Sequence, residues 1–240
     1  MKVGVIGYGS IGQRHVQNLL QLGLSDIKLL RVKGQGNIHG LEEFHSVADF
    51  FSTTYDFIII ATPTSEHFHY LARAIDYRVN FLCEKPLVSS TEQLTELEKS
   101  LVKYSSFGAV AMNMRFHPCI ISLKSLLQEG IIGNIYSARF FVGQYLPDWR
   151  PSQDYTKSYS AKRQSGGGVT LDLIHEIDLA TDLFGIPDGK LVSLSGKFSE
   201  LAIDTEDITE ILYVSERKSL ISLHLDYIFR GYKRDFLVIG

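Results

Sequence analysis

Val3-Gly4-Val5-Ile6-Gly7-Tyr8-Gly9-Ser10-Ile11-Gly12 opens the chain and decides its fold. Val3 to Ile6 is an apolar run of the kind buried in a parallel sheet. A Gly-x-Gly-x-x-Gly turn follows at once. A helical pattern opens behind it at Ser10, with Ile11, Val16, Leu19, Leu20 and Leu22 recurring up to Gly23. A glycine pattern alone fits any α/β turn, but strand, turn and helix in this order form a dinucleotide-binding fingerprint. Gly7 permits the tight turn, Gly9 lets a pyrophosphate approach the backbone, and Gly12 lets helix and strand pack closely. The phosphates would rest on the N–H groups around Ser10 and Ile11, at the positive end of the helix dipole.

The next strand, Ile27 to Val32, bears on which dinucleotide binds. NAD-binding proteins place Asp or Glu near its end for the ribose 2′-hydroxyl. This chain offers Arg31 and Lys33. An arginine there suits a 2′-phosphate, so NADP is expected ahead of NAD. The alternative is that both are solvated charges at a strand end.

Strands and helices then alternate, which indicates βαβ units and a parallel sheet. Ser46 to Phe51 reads as a short helix and Asp56 to Ala61 as a fully buried strand. Thr62-Pro63-Thr64 lies at the strand's carboxyl end, where open α/β sheets bind ligands. Ser65 to Tyr77 is a helix, Asn80 to Cys83 a strand, Thr91 to Tyr104 an amphipathic helix and Gly108 to Met112 a strand. Glu84-Lys85-Pro86 follows a buried strand. A lysine at that edge can hold or deliver a proton beside a cofactor, or form a strand-end salt bridge with Glu84.

A boundary falls near Asn113 to Pro118, giving an expected dinucleotide-binding domain over 1–116 and a substrate and oligomerisation domain over 117–240. Ile120 to Gln128 is a helix and Ile135 to Gln144 a long strand. The stretch from Tyr145 to Ser165 is a long loop carrying Trp149, Arg150, Asp154, Tyr155, Tyr159 and Lys162, groups able to stack and to hydrogen-bond. Gly166-Gly167-Gly168 precedes a helix running to about Phe184. On it Asp172 and His175 stand three apart and share a face. They read as an acid/base pair, as a structural pair, or as part of a metal site, and no second His or Cys stands nearby at ligand spacing. Four alternating segments follow from Leu191 to Ile239, as in an antiparallel sheet with one wet face.

With 45% apolar and 21% charged residues the composition is that of an ordinary globular protein. The net charge of −3 gives no electrostatic reason to expect nucleic acid or an anionic membrane. Two isolated cysteines, Cys83 and Cys119, suit a reducing compartment, and no apolar run spans a bilayer or forms a leader. The expectation is a cytoplasmic protein.

Taken together, Gly7-x-Gly9-x-x-Gly12 with Arg14-His15, Ala61-Thr62-Pro63-Thr64 with His67, Glu84-Lys85-Pro86, and the triglycine before Asp172-Leu173-Ile174-His175-Glu176-Ile177-Asp178 resemble the glucose–fructose oxidoreductase / inositol dehydrogenase / rhizopine catabolism (Gfo/Idh/MocA) family. The resemblance implies an N-terminal Rossmann domain with a parallel sheet. It also implies a C-terminal α+β domain with a mostly antiparallel sheet, here shortened, that joins subunits into a homo-oligomer. It implies hydride transfer between NAD(P) and a sugar or cyclitol carbon. Lys85 and His175 would manage the hydroxyl proton and Asp172 would orient them. Gly7, Gly9, Ser10, Ile11, Gly12, Arg31, Thr62, Pro63, His67, Glu84 and Lys85 would hold the cofactor.

Arg115, Trp149, Arg150, Tyr155, Tyr159, Asp172 and His175 would meet the substrate. Many members space the acid and the histidine by four residues rather than three, and members run longer than this chain. The loop around Trp149 is similar to that of members in surface-polysaccharide and nonulosonic-acid synthesis, which suggests a sugar or nucleotide-sugar. No metal is implied. The competing functions are a dinucleotide-binding sensor or assembly subunit without turnover, and a biliverdin-reductase-like activity, against which the polar aromatic loop argues.

Overall fold

The structure is a computed structural model and describes residues 1–31, 40–102 and 104–240. The chain divides into two compact units, Met1–Ala111 and Met112–Gly240.

In the first unit, β1 (Val3–Ile6) leads into α1 (Ser10–Gln21), β2 (Ile27–Leu30), β3 (Glu42–Phe44) and α2 (Val47–Phe51). Then come β4 (Phe57–Ile60), α3 (Thr64–Asp76), β5 (Phe81–Cys83), α4 (Thr91–Leu101) and β6 (Gly108–Val110). The six strands are parallel in the order β3-β2-β1-β4-β5-β6. This is the doubly wound Rossmann order, with the crossover beside β1. Ile6, Leu30, Ile58 and Ile60 are at most 1% exposed, because helices cover both faces of the sheet. Each such side chain contributes about 1.5–3 kcal/mol on burial. Ser46 and Ser90 cap α2 and α4 by accepting hydrogen bonds from Asp49 and Gln93. β3 is an element the sequence pattern does not announce. Val32 and Lys33, expected at the end of the second strand, lie outside the described residues.

The second unit begins with a 3₁₀ turn at Asn113–Phe116 and α5 (Pro118–Gln128), which His117 caps in extended geometry as the following proline requires. β7 (Ser137–Gln144) follows. The expected long loop is four short 3₁₀ turns, Leu146–Asp148, Tyr155–Lys157, Tyr159–Ala161 and Arg163–Ser165. After these come α6 (Val169–Asp172), α7 (Ile174–Phe184), β8 (Pro187–Gly196), β9 (Ile208–Ser215), β10 (Leu220–Asp226) and β11 (Tyr232–Ile239).

The sheet order is β11-β7-β10-β9-β8. All neighbours are antiparallel except β7 and β10, which pair in parallel because two helices and two strands intervene between them. α7 covers one face with Leu179, Leu183 and Phe184 against Phe140, Ile221 and Leu223. The other face is exposed, as the alternation predicts, and mixed, carrying Arg139, Glu210, Ser222, His224 and Asp235. The register places Val192, Leu194, Leu212, Val214, Leu220, Leu237 and Ile239 together on it, each at least 43% exposed.

Candidate functional site

In the first unit the glycine turn follows β1 directly. Gly7 has φ +91, and a Cβ there would lie 2.6 Å from the Ala61 carbonyl oxygen. A Cβ on Gly12 would lie 2.2 Å from the Gly7 carbonyl oxygen. The protein's own packing therefore requires both glycines. Gly9 is different: it is exposed, and a Cβ there would meet nothing within 4 Å. No packing of the polypeptide requires this glycine, and the open space beside it leaves room for the close approach of a pyrophosphate.

α1 begins at Ser10 with no side-chain cap and no acidic residue in its first turn, so its N–H groups and dipole are presented to an anion. Ser10 and Ile11 are exposed there. Thr62 stands beside the turn, its methyl 3.0 Å from where a Gly7 Cβ would be, and its buried hydroxyl has no hydrogen-bond partner among the described residues. Cradle, uncapped helix and waiting hydroxyl fit a dinucleotide.

Pro63, exposed, caps α3 on the same edge. His67 is placed otherwise than expected. It is 1% exposed, and its ring nitrogens face the carbonyl oxygens of Pro86 (2.8 Å) and Thr62 (2.9 Å). It is a strut between two ligand-edge loops rather than a ligand contact. Glu84 meets His15 of α1 at 2.7 Å. Burial would raise the Glu84 carboxyl, but the His15 hydrogen bond and charge, with help from Lys85, hold it below the usual carboxylate range. Glu84 thus braces α1 against the loop that carries the half-buried Lys85.

Arg31 follows β2, as expected, but it is not offered to a phosphate in the expected way. Its Nη1 donates to Glu43 Oε2 at 2.9 Å, and its guanidinium carbon lies 5.7 Å from the Tyr8 ring centre. Burial, with Glu43 nearby, raises the Tyr8 phenol against the opposing pull of Arg31. The expectation of NADP rests on Arg31 and Lys33: Lys33 lies outside the described residues, and Arg31 is engaged by Glu43 of β3.

In the second unit, Asp172 and His175 do not share one helix. The helix breaks at Leu173 (φ −99, ψ 27), so Asp172 closes α6 and His175 sits in the first turn of α7. The same-face argument from a spacing of three therefore lapses, and tertiary packing aims each group. Gly167 allows the entry into α6, since a Cβ on it would lie 2.2 Å from the Tyr159 carbonyl oxygen.

Asp172 is 5% exposed, and its Oδ2 accepts a 2.5 Å hydrogen bond from the Tyr227 phenol at the end of β10. Tyr159 bears on the same carboxylate. Burial first, then the Asp172 charge, raises both phenols far above their ordinary range, so both remain protonated donors. Arg150 pulls weakly on Tyr159 in the opposite direction. Nothing in sequence spacing links Tyr227 to Asp172, and only the ordered path of β10 does so.

Of the other expected substrate residues, Trp149, Arg150 and Tyr155 line one small cavity, and Arg115, Trp149 and Tyr155 also make contacts within the fold. Arg115 grips Asp178 through two hydrogen bonds, Nε to Oδ2 at 2.8 Å and Nη2 to Oδ1 at 2.5 Å, with Asp182 3.4 Å from Nη1. That tethers the Asn113–Phe116 turn to α7. Trp149 donates to the Gln144 carbonyl at 3.2 Å and packs edge-on against Tyr227, so its ring anchors the loop to the core. The Tyr155 hydroxyl accepts from Ala202 N at 3.2 Å. Arg150 is exposed. Among the described residues no group of three His, Cys, Asp or Glu side chains could hold a metal ion, and no helix is long and apolar enough to cross a membrane.

Comparison with known proteins matches this architecture. The model of the oxidoreductase family's NAD-binding Rossmann fold covers residues 1–111, and that of the Gfo/Idh/MocA C-terminal domain covers residues 120–240. The chain belongs to the Gfo/Idh/MocA oxidoreductase family. It is 27% identical to the oxidoreductase YrbE of Bacillus subtilis over 86% of this chain and 62% of that protein. It is 25% identical to glucose-6-phosphate 3-dehydrogenase of the same organism over 76% of this chain and 53% of that protein. The chain thus spans little more than half the length of these relatives. An oxidoreductase from Agrobacterium radiobacter, solved with NAD+, L-tartaric acid and magnesium, superposes with a TM-score of 0.87 at 20% identity, over 100% of this chain and 72% of that one.

Proposed function

We propose that the protein is a nicotinamide-dinucleotide-dependent oxidoreductase acting on a CH–OH group of a sugar, in free, phosphorylated or nucleotide-linked form. The observation that carries this is Gly9, bare in open space at the head of an uncapped helix, in a chain of an NAD-binding oxidoreductase family. Likeness to a glucose-6-phosphate 3-dehydrogenase supports a sugar.

When bound, the nicotinamide supplies hydride transfer to and from a carbinol carbon. The turn from Gly7 to Gly12 holds the phosphates, and the Thr62 hydroxyl supplies a hydrogen bond at its edge. Lys85 Nζ takes or returns the proton of the reacting hydroxyl, as a lysine of the Glu-Lys-Pro motif can. Asp172, fixed by Tyr227 and Tyr159, and His175 receive the substrate's polar groups and orient its carbon. The exposed Val, Leu and Ile side chains on the outer face of the second sheet suit a second copy of the chain. Cys83 and Cys119 suit a reducing compartment.

The test is absorbance at the reduced-nicotinamide band with a panel of sugars, sugar phosphates and sugar nucleotides, each with NAD and NADP. Turnover on at least one is expected. Lys85→Met should then lower kcat by about 100-fold or more with dinucleotide affinity little changed. A near wild-type rate removes the lysine from its role, and dinucleotide binding without turnover on any substrate overturns the enzyme reading in favour of a sensor.

A further inference from the structure

We propose that Glu43 sets the dinucleotide preference: from β3 it supplies the carboxylate that receives the adenosine ribose hydroxyls, and it engages Arg31 so that the chain selects NAD over NADP. This rests on the dinucleotide reading above and deepens it.

In a Rossmann sheet the adenosine ribose lies at the carboxyl end of the second strand, and NAD-selective members carry an acid there. Here β2 ends at Leu30 and the next residue is Arg31. The missing acid arrives from the adjacent strand. Glu43 stands opposite Leu29 in the parallel register, and Arg31 N donates to the Phe44 carbonyl at 2.9 Å, so the two side chains are delivered to one place. Their charged ends meet at 2.9 Å with 12% and 8% of the side chains exposed. Tyr8, between the first two glycines of the turn, lies beside the guanidinium and ties the pair to the phosphate cradle.

So enclosed, the pair is costly to break from one side, because the charge left behind is stranded. A 2′-phosphate carries about two negative charges. To use Arg31 it must compete with a carboxylate already on the guanidinium and bear that carboxylate's repulsion. A ribose hydroxyl instead donates to the carboxylate without adding charge.

The experiment is titration of the full chain with NADH and with NADPH, followed by nicotinamide fluorescence, for the wild type, Glu43→Gln and Arg31→Ala. The expected wild type binds NADH at least about tenfold more tightly than NADPH. Glu43→Gln, which removes the carboxylate's charge from the guanidinium and its repulsion of a phosphate, should shift that ratio toward NADPH by about tenfold or more. Arg31→Ala, which removes the cation a 2′-phosphate would need and keeps the carboxylate's charge, should shift it the opposite way.

Circular dichroism establishes that each variant is folded. If Glu43→Gln does not fold, the wild-type ratio and Arg31→Ala decide. A wild type that binds both equally or prefers NADPH overturns the inference, as does an unchanged ratio in the folded variants. A folded wild type that binds neither dinucleotide overturns the dinucleotide reading itself.

Discussion

The two halves of the molecule build their candidate sites by opposite means. In the first unit the site is made of backbone: a turn of glycines, a helix end without a cap, and strand ends on one sheet edge. In the second it is made of side chains held by other side chains. Asp172 is gripped by Tyr227 from a strand 55 residues away in sequence, and Tyr159 reaches it from a loop. A backbone site needs local sequence and so announces itself. A side-chain site needs the whole unit to be folded first.

The sharpest way to break this contrast is within the turn itself. Gly12→Ala drives a Cβ to 2.2 Å from a backbone oxygen that cannot retreat, and should cost about 3 kcal/mol or more, seen as loss of the cooperative thermal transition or a large fall in Tm. Gly9→Ala meets nothing within 4 Å and keeps a φ of −72, which alanine tolerates. Its stability should be unchanged or raised by up to about 1 kcal/mol. Its affinity for NADH should nonetheless fall about tenfold or more, because the new methyl occupies the phosphate approach. If Gly9→Ala binds NADH as the wild type does, the open cradle is not the cofactor site.

Legibility in the sequence follows the same division. β1, β4 and α1 could be read because apolar runs and glycine spacing are local, and the Rossmann order follows from their alternation. β3 could not, since Glu42-Glu43-Phe44 has neither length nor apolar alternation, and with it the pairing of Glu43 with Arg31 stays hidden. The acidic pair shortly after Arg31 was the available signal. Asp172 and His175 could be picked out, but the break at Leu173 could not, because periodicity continues across it. Arg115 and Trp149 looked like ligand groups for the same chemistry that makes them good anchors: a planar cation matches a buried carboxylate as well as a substrate's.

A smaller effect sharpens the second half of the contrast. Tyr227→Phe removes the phenol donated to Asp172 while keeping the ring in its buried place against Trp149. The carboxylate loses a charge-assisted hydrogen bond in a dry site, and the expected cost is about 1.5–3 kcal/mol. For a chain of this size that is roughly 2–4 °C of Tm for each kcal/mol. Fluorescence of Trp149, the sole tryptophan, reports the second unit specifically. A Tm equal to wild type would show that the pair contributes nothing to the fold.

The smallest effects separate the halves by pH. Glu84, in the first unit, has a folded pKa below its ordinary value of 4.5, so its pairing with His15 stabilises the fold above that value and is lost as pH falls through the lowered one. His224, on the outer face of the second sheet, lies between Asp226 of its own strand (2.9 Å) and Glu210 of β9 (2.5 Å), stacked on Phe141 of β7, over whose ring Lys233 of β11 also lies. The Asp226 hydrogen bond, opposed by burial and aided by Glu210, raises the imidazole above its ordinary 6.5. Its contribution is fully present below 6.5 and is lost as pH rises through the raised value. Tm measured for the wild type, Glu84→Gln and His224→Gln from about pH 3 to about pH 9 should therefore show two gaps that narrow in opposite directions. The Glu84→Gln gap narrows toward acid and the His224→Gln gap narrows toward alkali. If the His224→Gln gap instead widened with pH, the imidazole would be neutral in the folded state, and the two carboxylates beside it would be repelling each other rather than holding a cation.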